Sequence, residues 1–151
     1  LVAGNKDVFM SRAWKVLGRL AETKVQEQQL ELQKINVALA QLERRKTQIL
    51  ILIAENQARL AEKRTGCSMN EIQVITRFIT SLGGAMQGTQ VEMEIIQQKR
   101  KLALDKLEEA RKEELKMGSL MERDETRRFK ERELKEQRAM DAAAIGLFNR
   151  K

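Results

Sequence analysis

The sequence predicts an all-α protein: two long helices in an antiparallel coiled-coil hairpin, with a C-terminal single-helix overhang. Three observations carry this expectation. The 151 residues contain no Pro, where average usage of roughly 5% would supply about seven. Only Trp14, Phe9, Phe78, Phe129 and Phe148 are aromatic, too few to fill a compact core, while the helix formers Ala, Leu, Glu, Lys, Arg and Gln dominate. Finally, apolar residues recur with a period of 3.5 on both sides of a single cluster of turn signals.

Helix one is expected over about residues 8–64. Its a and d positions are Trp14, Gly18, Ala21, Val25, Gln28, Leu32, Ile35, Leu39, Leu42, Lys46, Ile49, Ile53, Asn56 and Leu60. Ten of these 14 are apolar, against six expected from a chain average of 42%. Lys46 and Asn56 read as polar seam residues that fix register at some cost in stability.

The turn is expected over about 65–70. Gly66 suits a left-handed helix C-cap, and Lys63 and Arg64 stand where cations favour the negative end of the helix dipole. Ser68-Met69-Asn70-Glu71 reads as a capping box opening the next helix. Folding near Cys67 would set Trp14 opposite about residue 120. The second seam, read independently, ends at Met121, which gives a hairpin roughly 80 Å long at 1.5 Å per residue.

Helix two is expected over about 71–145, the whole chain forming one coiled-coil domain, 1–151. Its seam is Ile72, Ile75, Ile79, Leu82, Met86, Thr89, Met93, Ile96, Arg100, Ala103, Leu107, Ala110, Glu114, Met117 and Met121, with 12 of 15 apolar. Beyond Met121 the extrapolated positions are charged: Asp124, Arg128, Glu131, Lys135 and Arg138. Residues 122–141 hold seven basic and seven acidic side chains, the makings of a lone helix supported by pairs three or four apart. On it Phe129, Leu134, Met140, Ile145, Leu147 and Phe148 lack an intramolecular partner, which favours a bound helix over a frayed one.

Other features admit two readings each. Gly83, Gly84 and Gly88 would face the Ile49–Ile53 stretch. They are either covered by those aliphatics or form a bend or docking groove. Phe78 and Ala85, at g positions one heptad apart, either shield the core edge or begin an exposed apolar stripe. Trp14 is either a plug closing the coil or part of a contact. Cys67 reads as an incidental exposed thiol.

Composition also narrows the function classes. There is no His and one Cys, and no phosphate-cradling Gly-rich loop. No catalytic residues, metal site or cofactor are expected, and the chain reads as a non-enzyme. The net charge of +7 is spread rather than gathered in a stripe, and stacking aromatics are scarce, so nucleic acid is not an expected partner. The longest apolar run, 49–54, is far short of the ~20 residues needed to span a bilayer. Direct membrane insertion is not expected, and a lipid-surface helix is disfavoured because pairing is expected to consume the apolar face. A lone Cys and the lack of a leader suggest a cytoplasmic location. The chain opens on Leu1, and Met10 is a candidate for its natural start.

One family resemblance emerges from these residues. Trp14-Lys15-Val16-Leu17-Gly18-Arg19-Leu20, followed by a Gln/Glu/Leu-rich helix, resembles the entry segment of the flagellar export protein FliJ family. Lys135-Glu136-Gln137-Arg138-Ala139-Met140-Asp141, with Phe148 downstream, is similar to its C-terminal signature, although Ala142 stands where a second acidic residue is common. Phe78-Ile79-Thr80-Ser81-Leu82 is similar to a segment early in the family's second helix. The likeness spans about residues 12–150, and the injectisome counterparts share the architecture.

The resemblance implies a central stalk of a type III export ATPase, peripheral at the inner-membrane export apparatus. The implied partners are a hexameric export ATPase, an export-gate membrane protein and export chaperones. It places Trp14, Arg19, Arg127, Arg128, Arg132, Arg138, Asp141 and Phe148 at the ATPase ring, and Phe78, Leu82 and Ala85 at the gate. A coiled-coil scaffold or tether without an ATPase partner is the alternative.

Overall fold

The computed structural model describes residues 2–63, 66 and 68–150. They form two α-helices, α1 (Val2–Lys63) and α2 (Met69–Asn149), which pack against each other; the protein is all-α. Helix α1 begins six residues before the expected start, and α2 runs four beyond its expected end. No Pro interrupts either helix and no described residue has positive φ.

The period of 3.5 marks the contact line. Every one of the 14 seam positions of α1 is buried or half-buried. So are those of α2, except Arg100, whose long side chain reaches outward and donates from Nε to Asn36 Oδ1 at 3.0 Å. Among the described residues nine apolar ones are buried, including Val25, Leu42, Ile49, Leu82 and Leu107, yet no large side chain is fully enclosed. Two helices alone cannot surround a side chain, so each seam residue keeps an edge in water. Two polar residues are buried as well: Asn56 at 8% and Thr89 at 3% exposure. Each hydrogen-bonds within its own helix: Asn56 Nδ2 donates to the Leu52 carbonyl at 2.7 Å, and Thr89 Oγ1 to that of Ala85 at 2.9 Å. Their cost is thus met locally, and any influence on register comes from the burial they demand.

The chain divides into two compact units. One comprises residues 27–107 and contains the turn. Within it, Lys63 pairs with Glu71 at 3.3 Å and Arg45 with Glu92 at 3.4 Å, cross-helix contacts that identify antiparallel neighbours. At the turn, Gly66 N–H donates to the Lys63 carbonyl at 3.4 Å. Gly66 does not adopt the left-handed conformation expected of it; a tight three-residue bond closes α1 instead. The Ser68 carbonyl accepts from Glu71 N–H at 3.1 Å and Ile72 N–H at 3.4 Å, starting α2. Arg64 and Cys67, the expected dipole partner and the expected tip, lie outside the described residues.

The three glycines of this unit are helical and uninterrupted. A Cβ added at Gly83, Gly84 or Gly88 would meet nothing within 4 Å. The aliphatics at 49–53 do not cover them, and Leu50, Ile51 and Leu52 are themselves 39–52% exposed.

The other unit comprises residues 1–26 and 108–151. Its closest packing is at Gly18, where an added Cβ would lie 3.1 Å from Met121 Sδ. Simple folding about Cys67 would have put Gly18 opposite residue 116; the observed pairing lies five residues further along α2. The N-terminal part of α1 therefore runs beside residues that were expected to stand alone.

Candidate functional site

The unit holding both terminal segments contains all eight residues assigned from sequence to an ATPase ring. Trp14 is half-buried and Arg19 exposed. The seam does not stop at Met121: Asp124 and Arg128 are both half-buried. Asp124 is positioned between two cations one helical turn away. Arg127 Nη2 donates to its Oδ1 at 2.9 Å, and Arg128 Nη2 lies 2.8 Å from its Oδ2. The Arg128 contact is off the direction of a hydrogen bond, and its Nε has no partner at all. The attraction is therefore charge on charge, inside a seam that is mostly apolar.

Beside this pair is a groove of about 390 Å³ between the two helices, lined by Val8, Ser11, Arg12, Lys15, Arg128, Glu131, Arg132 and Lys135. Five cations face one carboxylate there, and no ion pair links Glu131 to any of them among the described residues. The groove corrects the expectation that everything after Met121 is an unaccompanied arm. Helix α1 accompanies α2 to about Lys135.

From Phe129 to Arg150 every residue is exposed. Arg132, Arg138 and Asp141 are on this stretch, as is Phe148 at 81% exposure. Phe129, Leu134, Met140, Ile145 and Leu147 are also more than half exposed, as the sequence had suggested.

The second cluster lies in the other unit. Phe78 is 45% exposed and Ala85 is exposed. Leu82, the seam residue between them that the resemblance places at the gate, is 8% exposed and packs in the core between the helices. A d position points inward, whereas the flanking g positions face out, so this patch presents Phe78 and Ala85 and is supported from beneath by Leu82.

Sequence reasoning did not single out the groove residues Arg12 and Lys15, nor a second apolar face of α1 made by Phe9, Met10, Val16, Leu17 and Leu20. A signal was present: from Val8 to Ala21 there is no acidic residue, and the apolar positions repeat at spacings of three and four off the seam. Among the described residues, no group of three or more His, Cys, Asp or Glu could hold a metal ion. Nor is any helix there long and apolar enough to cross a membrane.

Two long antiparallel helices joined along a heptad seam define an all-α coiled-coil hairpin. The family model described as "Flagellar FliJ protein" matches residues 11–151. The chain belongs to the FliJ family, and is thus a flagellar export-related protein. No curated protein and no solved structure gives a match.

Proposed function

We propose that the chain is the non-enzymatic central stalk of a flagellar protein export ATPase complex, peripheral at the inner-membrane export apparatus. Its unit bearing both terminal segments enters the pore of a hexameric ATPase ring and promotes ring assembly and turnover. The unit bearing the turn reaches the export gate through Phe78 and Ala85, and export chaperones are further partners. The observation that carries this reading is the make-up of the terminal unit. Trp14, Arg19, Arg127, Arg128, Arg132, Arg138, Asp141 and Phe148 all belong to this one compact unit, and the family match runs to residue 151.

A stalk contributes by binding one state of the ring better than another, and it can shift the ring's equilibrium only by that difference. Exposed charges of both signs suit such a role, because solvated ion pairs are individually weak and readily exchanged. The test is stimulation of a purified export ATPase by the full chain and by a chain lacking residues 122–151. Stimulation is lost in the truncated chain while far-ultraviolet circular dichroism shows the hairpin of residues 27–107 still helical. Full stimulation by the truncated chain refutes the placement. Failure of the intact chain to stimulate or to co-purify with the ring leaves the scaffold alternative.

A further inference from the structure

We infer that the N-terminal part of α1 is an interfacial helix that lies on an anionic lipid surface. In the terminal unit, the seam residues Trp14, Gly18, Ala21 and Val25 of α1 are buried or half-buried, yet the helix carries a second apolar face that stays exposed. Phe9 is 71% exposed, Val16 55% and Leu20 60%, with Met10 and Leu17 at 42–43%. These residues repeat at helical spacing over about three turns, so they form one stripe away from the seam. The expectation that pairing uses up the apolar face is therefore overturned.

Charge selects the occupant. Lys6 and Lys24 stand in line with the stripe at its two ends, at the same spacing of three and four. Arg12 and Arg19 border it on one side. All four are exposed and have no ion-pair partner among the described residues. No carboxylate interrupts residues 8–21. A second copy of the chain would bring the same cations against these, which disfavours self-association.

The stripe is a convex ridge on a single helix. The groove of this unit lies beyond Arg12, between Lys15 and α2. Fluid acyl chains mould themselves to a ridge, whereas a folded partner would need a matching trough. An apolar stripe of Phe and Leu with flanking Lys and Arg, too polar overall to span, is the pattern of a helix seated at the headgroup boundary. The long basic side chains reach the phosphates while their stems stay with the lipid.

The lipid-bound and ring-bound states of this unit exclude one another, and the inference requires no ATPase. The test is flotation of the full chain alone with phosphatidylcholine vesicles and with vesicles also containing phosphatidylglycerol. The chain floats with the second and far less with the first. Arg12→Gln with Lys24→Gln lowers partitioning about 25-fold, roughly fivefold for each cation lost. Leu17→Ser with Leu20→Ser lowers it by about tenfold or more. All four sites are exposed, so circular dichroism is unchanged. Val37→Ser with Ile51→Ser, exposed apolar residues of the other unit, leaves flotation as it was. The inference is overturned by absence of flotation with phosphatidylglycerol, by equal binding to neutral vesicles, by a leucine variant that floats like the parent, or by equal loss in the control. Absence of flotation would leave the stripe to a protein partner.

Discussion

Replacing Gly83, Gly84 and Gly88 together by Ala should stabilise the protein. Each glycine is within an unbroken helix with no positive φ, so Ala adopts the native backbone without strain. Each added methyl meets nothing within 4 Å, so no packing is disturbed. What remains is the unfolded-state term: glycine loses more backbone freedom on folding, at about 0.5–1 kcal/mol per helical site. The three sites share no packing partner, so the gains should add to about 1.5–3 kcal/mol. For a chain of this size that corresponds to a rise in Tm of about 3–12 °C.

The assay is thermal and urea unfolding followed by circular dichroism, with the urea slope checked for constancy. Gly18→Ala serves as the comparison, because its methyl would sit 3.1 Å from Met121 Sδ. The flexible Met121 side chain must give by a few tenths of an ångström, so the gain there falls below that at the open sites. A triple variant no more stable than the parent, or less stable, would refute the reasoning. It would mean that the aliphatics at 49–53 do press on this backbone. If the triple variant is more stable but binds the export gate less well, the glycines serve a partner's close approach, which is a trade of stability for contact.

Two further outcomes test the site. Asp124→Asn removes the carboxylate shared by Arg127 and Arg128 and leaves the half-buried Arg128 guanidinium without compensation. The expected loss is about 1–3 kcal/mol, read by chemical unfolding, and Arg128→Met in the same chain should recover much of it; no loss would mean that the pair is solvated. Leu82→Ala empties a core position and should cost about 2–4 kcal/mol. Phe78→Ala, at a half-exposed site, should cost much less and instead weaken capture of the export-gate protein. The reverse ranking in unfolding experiments would overturn the division of that patch into support and contact.

The seam was legible residue by residue because a heptad repeat is a local property. Any position that recurs every 3.5 residues comes to the same side of a helix whatever the partner. That is why Lys46, Asn56 and Thr89 are found at least half-buried despite their polarity. The exposed Phe78 and the exposed aromatics of the C-terminal arm were legible for the same reason, since they fall off the seam.

What the sequence by itself determined was therefore the existence, type and contact face of both helices. Only the tertiary structure decided how far one helix slides along the other. Two seams with the same period fit equally well one heptad apart, so periodicity alone cannot choose between registers. The choice rests on particular contacts, such as Gly18 against Met121, and on a turn whose geometry is not written in any pattern. That choice packed Asp124 and Arg128 against α1 and built the cationic groove beside Lys15.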